Sequence, residues 1–554
     1  MPAGVGQRNV MLARLARMLS RPARTAPLAA AHPASGLGPG LALEAGSVPA
    51  PAGSRAGAGL ANIQILRGLA AGTVLLHHAA VYAQILRGAD RPFPAFDAMM
   101  GLWGVAVFFA ISGSLMAGLV MRDRPLVFLA HRISRIFPTY LVVVALFATL
   151  FAALGLSFGG LAPLSLSLAP AGPRSYALNV EWTLVFETSF YVGLFLLACA
   201  GLARQIVPLA VLWLALLAAA FLLLPAASRD LVLPPAYMVP VVAACVPFAG
   251  GLLLPRLIAS GRMTPTAGLL ALPLFAACLF VERDAARWLG GIAAVLLVGA
   301  AASARQAQGK GAVTRAALAL GDASYLLYLV HVPVLVLSAW AMPAHWSGLA
   351  YGLTAVMVAL GVAALFGPFD LALYRALRRR IDAAAPAILK RWLAAYLLMF
   401  AGCAAWGSAE TARNDWQETR ARAALAALPA EAWAGPTAAV AAIESRGLAL
   451  PPSMQGALER IESASPVESV VSAYAYDPAR PKQTYLLALS CSGRLIGLDR
   501  PRRTRKDLAA LTGPARPGHR IGFRMLIPTA ACATDPTPLA LAIDTEGRMA
   551  VLGR

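Results

Sequence analysis

The sequence predicts an all-α polytopic membrane bundle of about ten core helices plus an eleventh span, followed by a small α+β exterior domain. Composition is the first observation: of 554 residues, 59% are hydrophobic and only 13% are charged. The mean hydropathy of +0.67 is too high for a soluble protein of this size. Long apolar runs are the second observation, and alternating runs near the C-terminus are the third.

Eleven apolar runs approach the roughly 20 residues that a helix needs to cross a bilayer. The predicted spans are residues 62–83, 101–120, 136–155, 182–201, 206–225, 238–254, 265–281, 287–303, 317–342, 347–374 and 392–408. The predicted organisation is a disordered, basic cytoplasmic extension (1–60), a transmembrane domain (61–375), a cytoplasmic loop with the eleventh helix (376–409), and an exterior, periplasmic domain (410–554) that is first helical and then β-rich.

The basic residues between the spans predict the orientation. With the N-terminus in the cytoplasm, the cytoplasmic loops hold sixteen Lys and Arg residues and the outer loops hold six. Because Lys and Arg are retained on the cytoplasmic side, this bias predicts an inner-membrane protein whose residues after about 409 are outside. Much of the formal charge of +21 is therefore a topology signal and does not indicate nucleic-acid binding.

The first span, Ile63 to Tyr82, places Arg67 and His78 in an otherwise apolar helix. Eleven residues at about 100° each bring these two side chains to the same helix face, roughly 16 Å apart along the axis. His77 points about 80° away from that face. Ionisable groups at membrane depth are costly and normally face a bundle interior or a wet cavity, so this face is a candidate functional surface.

The second span carries Gly101, Gly104 and Gly113, small residues that favour close helix packing in lipid. In the cytoplasmic loop that follows, Arg132 and Arg135 lie three residues apart just before Pro138. Positive-inside anchoring explains two arginines at this place. A pair on one helical face also suits a phosphate, because guanidinium forks match phosphate oxygens.

Three further polar residues lie in later spans. Glu187 and Tyr191 are four residues apart and share a helix face about two turns into the membrane. A structural ion pair and a substrate-positioning role are both open for Glu187. His331, three residues after Tyr328, is either a hydrogen-bonded packing residue or a substrate contact. No cluster of His, Cys and carboxylates has ligand spacing, so no metal site is predicted.

The six cysteines divide by location. Four lie in apolar spans and are expected to be buried thiols, whereas Cys491 and Cys532 lie in the exterior tail. If that space is oxidising, these two are expected to form a disulfide bond. The tail contains no Gly-Asp-Ser motif and no Ser/His/Asp spacing, so a second catalytic domain is not expected there.

Five motifs in series resemble the acyltransferase 3 family of integral-membrane acyltransferases. They are LRGLAAGTVLLHH, GVAVFFAISG, RISRIFPTY, EWTLVFETSFY and LGDASYLLYLVH, over about residues 60–375. The resemblance implies transfer of an acyl group, commonly acetyl from cytoplasmic acetyl-CoA, to an acceptor at or beyond the outer face, frequently a cell-surface glycan. It also implies that Arg67 and His78, which keep the family's interval, are the catalytic residues.

Two departures from the family pattern are visible. Ser134 occupies the place of the middle arginine in the family's basic motif, so only Arg132 and Arg135 match it. Family members with an extra exterior domain often carry an esterase-like one, and this tail does not resemble it.

The functional hypothesis is an acyl-CoA-dependent O-acyltransferase that acts on a hydroxyl of an extracytoplasmic glycan or lipid-linked sugar. Arg132, Arg135, Glu187, Tyr191 and His331 are the predicted substrate-binding residues, while His78 acts as a general base or takes the acyl group itself. The expected partners are acyl-CoA, the sugar acceptor and the bilayer, with no nucleic acid. A secondary transporter would also bury Arg, His and Glu, but the matching halves that transporters usually show are not seen. A non-enzymatic envelope assembly protein would not need Arg67 and His78.

Overall fold

The computed structural model describes residues 60–90, 94–307, 311–463, 468–481, 483–501, 505, 520–532 and 538–553. The predicted extension, residues 1–60, lies outside these ranges apart from its last residue. The described chain forms two compact units, which are divided between Ala409 and Glu410. We call them the membrane unit and the C-terminal unit and describe each by itself.

Helices make up the membrane unit, and the last of them continues into the C-terminal unit. Those of ten residues or more are α1 (Leu60–Arg87), α2 (Pro94–Arg122), α3 (Pro125–Ala153), α4 (Trp182–Cys199), α5 (Ile206–Leu223), α6 (Val246–Ala259), α7 (Ala267–Ala277), α8 (Arg283–Ser303), α9 (Ala312–Ala341), α10 (Gly348–Ala383) and α11 (Pro386–Ala426). Within the described residues, nine helices are long and apolar enough to cross a membrane. The chain is a multi-pass membrane protein.

The other two predicted spans, 238–254 and 265–281, correspond to shorter apolar helices, Ala243–Ala259 and Ala267–Phe280. The first begins later than predicted because Pro240 lies in a separate 3₁₀ turn at Val239–Val241. Apolar helices are thus found at all eleven predicted runs, and in the described part of the chain nine of them are long enough to cross a membrane.

The third helix also differs from its prediction. The sequence placed Arg132 and Arg135 in a cytoplasmic loop and started the span at residue 136, whereas α3 begins at Pro125 and continues through Pro138. A proline is tolerated inside a membrane helix when neighbouring groups satisfy the freed backbone. Both arginines are therefore buried within the bundle, with 4% and 1% of their surfaces exposed.

Close helix packing depends on glycine, as predicted for the second span. A Cβ atom on Gly104 would lie 2.8 Å from the carbonyl oxygen of Ala70 in α1. One on Gly113 would lie 2.2 Å from the carbonyl oxygen of Phe248 in α6. Helix α1 also packs along α9, so it lies between α2 and α9 with its polar face buried.

The C-terminal unit contains helix α12 (Pro436–Ser445) and seven strands, and its sheets confirm the predicted α+β class. The strands are β1 (Gln455–Ser463), β2 (Glu468–Tyr476), β3 (Leu486–Cys491), β4 (Arg494–Asp499), β5 (Gly522–Pro528), β6 (Leu539–Ile543) and β7 (Met549–Val551). They form two antiparallel sheets with the orders β1-β2-β5 and β4-β3-β6-β7. Strand β1 lies in a segment that the sequence predicted to be helical.

Strand β3 is buried on both faces, and successive side chains alternate between two cores. Leu487, Leu489 and Cys491 pack against the three-stranded sheet. Leu486 and Ala488 pack against the helical layer, which includes α12. The disulfide between Cys491 and Cys532 is present, which confirms the predicted pairing. It closes a 41-residue separation and is expected to stabilise this unit by about 2–4 kcal/mol.

Candidate active site

Helix α1 carries two buried polar clusters on one face. Arg67 and His78 are 1% and 2% exposed, and their interval of eleven residues separates them by roughly 16 Å along the helix. We call the set Arg67, Arg132, Arg135, Glu187 and Tyr191 the arginine cluster. We call the set His78, His331, Tyr328 and Thr183 the histidine cluster.

In the arginine cluster, five of the seven predicted site residues come together from three helices. The Glu187 carboxylate in α4 lies within electrostatic reach of Arg67 in α1 and of Arg132 and Arg135 in α3. The Tyr191 hydroxyl donates a hydrogen bond to Glu187 Oε1. Glu187 Oε2 is buried and has no hydrogen-bond partner among the described residues. The carboxylate is thus positioned on one side by a tyrosine and surrounded by guanidinium groups.

Arg135 is already paired within the protein. Its Nη1 donates to both carboxylate oxygens of Asp370 in α10, at 3.1 and 2.9 Å, and Thr139 Oγ1 donates to the same carboxylate at 2.7 Å. Its guanidinium carbon lies 4.5 Å from the centre of the Tyr325 ring. Sequence reasoning missed Asp370, although a single acidic residue within the apolar run 347–374 was a signal for it.

Arg132 differs from Arg135. It is 96% buried, yet within the described ranges it makes no hydrogen bond or ion pair, and its Nε has no partner. Arg67 makes two long hydrogen bonds, from Nη1 to Gln64 Oε1 at 3.4 Å and from Nη2 to Ser324 Oγ at 3.3 Å, and its Nε has no partner either. Gln64 in turn donates to Asp322, a residue that the sequence analysis did not single out.

The buried charges of the arginine cluster and its pairing partner are unequal in number. Three buried guanidinium groups face two buried carboxylates, Glu187 and Asp370, while the exposed carboxylate of Asp322 also lies within electrostatic reach of Arg67. A buried charge without a counter-ion is costly. An anionic group is therefore the ligand that this cluster is suited to bind, and Arg132 has the most donors available for it.

The histidine cluster is held by hydrogen bonds that define where its protons lie. His331 Nδ1 is 2.7 Å from the carbonyl oxygen of Tyr328, and His78 Nδ1 is 3.0 Å from that of Val74. Because a carbonyl oxygen only accepts, both Nδ1 atoms carry the proton in these contacts. His331 Nε2 then has a lone pair that faces His78 Nδ1 at 3.2 Å.

His78 Nε2 is left as the reactive atom of this cluster. It is buried and has no hydrogen-bond partner among the described residues. In the tautomer that the contacts require, it carries a lone pair and no proton, so it can accept a proton from a substrate hydroxyl or bind an acyl carbon. The structure thus places His331, predicted as a substrate contact, directly beside His78.

His77 lies outside this arrangement. Its Nδ1 is 3.2 Å from Asp97 Oδ1 in α2, and a Cβ atom on Gly101 would contact its ring at 2.7 Å. The pair with Asp97 fixes the imidazole of His77 against α2. Helical periodicity predicted that His77 and His78 point in different directions, but it did not predict that His77 contacts Asp97.

Glu181 fixes the loop that leads into α4. Its carboxylate accepts hydrogen bonds from the backbone N–H groups of Leu178 at 2.8 Å and Val180 at 3.0 Å. Burial raises the pKa of this carboxyl to about 7, and the backbone hydrogen bonds oppose that rise. The Val180 carbonyl accepts from the Tyr328 hydroxyl, and Tyr328 also bonds Thr183 at 2.8 Å. The loop is thereby joined to the histidine cluster.

Comparison with known proteins assigns the chain to a family. None of the curated proteins and none of the solved structures that were compared matches the chain. No group of three or more His, Cys, Asp or Glu that could hold a metal ion is found in the described part of the chain. A family model described as an acyltransferase domain matches residues 60–373, which is more than half of the chain and includes both clusters. The protein therefore belongs to the acyltransferase 3 family and is a membrane acyltransferase.

Proposed function

We propose that this protein transfers an acyl group, acetyl in the first instance, from cytoplasmic acyl-CoA to a hydroxyl group of an extracytoplasmic glycan or glycolipid. The observation that supports this is the pair of clusters on one face of α1. One cluster is suited to an anion and the other presents an unprotonated imidazole nitrogen. Family membership favours this activity over a transporter or an assembly protein.

The arginine cluster is proposed to bind the phosphates of the donor. Acyl-CoA carries its negative charges on the nucleotide end and its thioester at the end of a long flexible arm. Arg132 supplies unpaired donors, Arg67 adds a second positive charge, and Glu187 with Tyr191 orients the guanidinium groups. Arg135, which forms an ion pair with Asp370, adds a third positive charge beside the site. The arm then spans the roughly 16 Å to His78.

The reaction is proposed to occur at His78 Nε2. As the acceptor oxygen bonds to the thioester carbon, its proton moves to Nε2, and cleavage of the carbon–sulfur bond releases the thiolate of CoA, which takes that proton. In a second route Nε2 attacks the thioester carbon and the carbon–sulfur bond breaks, which releases the thiolate of CoA. The acceptor oxygen then bonds to the acyl carbon, the bond from that carbon to Nε2 breaks, and the acceptor's proton passes to the thiolate. In both routes His331 keeps the His78 ring oriented with Nε2 free for the substrate.

The proposed location is the inner membrane, with the N-terminus in the cytoplasm and the C-terminal unit in the periplasm. The positive-inside bias supports this orientation. The disulfide between Cys491 and Cys532 supports it independently, because such bonds persist in oxidising compartments. A cysteine introduced at Arg480 is expected to react with a membrane-impermeant thiol reagent added from the periplasmic side. Reaction only from the cytoplasmic side would contradict the across-membrane mechanism.

Reconstituted vesicles provide the test of the activity. Purified protein is incubated with acetyl-CoA labelled in the acetyl group, together with isolated envelope glycans and lipid-linked sugars. Label is expected on hydroxyl groups of the sugar fraction, released by mild alkali as an ester would be. Label that is recovered only as free acetate, or transport of labelled sugar without acylation, would contradict the proposal.

A further inference from the structure

A pocket of about 340 Å³ opens in the C-terminal unit, within the size range of small-molecule sites. It lies between the 3₁₀ turn Ala430–Ala434 and the tip of the hairpin formed by β3 and β4. The lining residues are Ala430, Trp433, Ala434, Ser490, Ser492, Gly493 and Leu539. The side formed by the 3₁₀ turn is thus aromatic and aliphatic, and the side formed by the sheet has two serines, a glycine and a leucine.

Ser490 is the residue that points to a ligand. Leu486 and Ala488 precede it on the face of β3 that packs against the helical layer, so the alternation of the strand predicts an apolar side chain at this position. The chain has a serine there, 2% exposed, and its Oγ has no hydrogen-bond partner among the described residues. An unsatisfied buried hydroxyl is costly unless something else bonds it. Because Ser490 lines the pocket, that partner is expected to be a bound molecule.

The hairpin tip adds polar groups at the mouth of the pocket. Ser492 and Gly493 have φ angles of +49° and +74°, as a two-residue hairpin turn requires. Glycine, asparagine and aspartate favour this conformation more than serine does. Both residues line the pocket together with Trp433.

We propose that this pocket binds a neutral carbohydrate unit. A sugar ring has a C–H face that packs on an indole and a rim of hydroxyl groups that bond serine hydroxyls and backbone groups. None of the described lining residues carries a charge, which favours a neutral sugar over an acidic sugar or a phosphate. A purely apolar ligand would leave Ser490 Oγ unsatisfied. The inference concerns binding alone; its link to acyl transfer rests on the proposed function, in which the bound sugar belongs to the acceptor glycan.

The test measures binding by the full-length protein in lipid nanodiscs, with no acyl donor present. The probes are the neutral hexasaccharides maltohexaose, cellohexaose and chitohexaose, the acidic oligosaccharide hexagalacturonate, and lauric acid. Saturation-transfer NMR is expected to detect at least one neutral hexasaccharide and neither of the other two probes. Absence of binding by all three neutral probes, or binding of only lauric acid or only hexagalacturonate, would overturn the proposal. Because no donor is present, this result does not depend on whether acyl transfer occurs.

Variants then assign the binding to the pocket. Trp433→Ala is expected to weaken binding about tenfold or more, the loss typical of an aromatic anchor in a pocket, and Trp433→Phe to weaken it less. Trp416→Ala, at an exposed tryptophan of the same unit, is the matched control and should bind like the parent protein.

Ser490→Ala gives the sharpest comparison. If Ser490 Oγ is bonded only by the sugar, removing it should weaken binding while thermal stability stays the same or rises, because no protein hydrogen bond is lost. This variant therefore keeps the test valid even if Trp433→Ala fails to fold. Binding that is unchanged in both Ser490→Ala and Trp433→Phe would place the sugar elsewhere and overturn the assignment.

Discussion

The arginine cluster and the histidine cluster each include a buried residue of α1, but they differ in charge. The first is built around three buried guanidinium groups, which keep their charge, and several of their donors are unpaired among the described residues. The second is made of neutral rings whose protons are directed by the backbone carbonyls of Val74 and Tyr328. The difference suggests a division of labour, in which fixed charge holds an anionic donor and a defined tautomer supplies the base.

Burial has different consequences at the two ends of α1. A guanidinium group keeps its charge when buried, so the bundle has to supply counter-ions such as Glu187 and Asp370 or leave the position to a ligand. A histidine avoids that cost by remaining neutral. Apolar surroundings therefore favour an anionic ligand at the arginine cluster and a neutral imidazole at His78, as the proposed mechanism requires.

The largest expected effect separates reaction from binding. His78→Ala removes the only atom of the histidine cluster that is proposed to contact the reacting groups, so transfer should fall by about 10²- to 10⁴-fold, the usual contribution of general base catalysis. Binding of the donor should be unchanged, because the arginine cluster is intact. Turnover is measured with labelled acetyl-CoA and binding with desulfo-CoA by calorimetry.

The control is a substitution on the lipid-facing side of the same helix. Leu69 is 59% exposed, and Leu69→Ala is expected to leave both quantities unchanged. Near-normal transfer by a well-folded His78→Ala protein would show that the base is not on this face. Glu187 or His331 would then be the residue to examine.

The second-largest effect is expected at the arginine cluster, where donor binding should change and the rate at saturation should not. Arg132→Gln removes unpaired donors without breaking any ion pair of the described structure, so the fold should tolerate it. The KM for acyl-CoA should rise by about ten- to a hundredfold, which corresponds to the loss of charge-assisted hydrogen bonds, while kcat at saturation changes little. Arg132→Lys should recover part of the affinity, because an ammonium restores the charge but not the planar fork.

Arg124→Gln is the matched control, since Arg124 precedes the same helix and is exposed. Its KM should equal that of the parent enzyme. If Arg132→Gln lowered kcat and left KM unchanged, the arginine cluster would take part in the reaction and the division between the clusters would fail.

An intermediate effect is expected at His331, which acts through His78. His331→Leu removes the acceptor that faces His78 Nδ1 and should lower kcat by roughly tenfold, about the worth of one buried hydrogen bond. His331→Gln retains an acceptor oxygen and should recover most of the loss. KM for the donor should stay constant in both. A purely structural role would make the two variants equal once they are compared at the same amount of folded protein.

The sequence predicted more of α1 than of its partners. Helical periodicity alone brought Arg67 and His78 to one face and separated His77 from them, because those relations lie within one helix. The pairing of Arg135 with Asp370 joins residues 235 positions apart, and no local pattern encodes such a distance. The sequence therefore predicted Arg132 and Arg135 as a pair suited to a phosphate, whereas in the structure Arg135 is bound to Asp370.

In the C-terminal unit, local helix propensity led to a wrong prediction for one segment. Strand β1 lies at the end of the Ala-rich segment 410–462, which was predicted to be helical because alanine favours a helix. Antiparallel pairing with β2 overrides that preference. The alternating runs that became β2, β3, β5 and β6 were recognisable because their apolar residues carry the period of a strand.

The smallest effect on turnover is expected at His77, and it tests whether the two adjacent histidines are distinct. His77 Nδ1 is paired with Asp97, and its ring centre lies 5.0 Å from that of His78. His77→Ala should therefore spare kcat to within a few-fold per folded molecule, yet lower the thermal stability of the bundle, because it removes a buried hydrogen-bond partner of Asp97. His77→Gln, which can still donate to Asp97, should recover stability and show how much of any activity loss was only loss of folded protein. If His77→Gln were as stable as the parent protein but inactive, the proton path would run through Asp97 and His77, and the histidine cluster would have to include both.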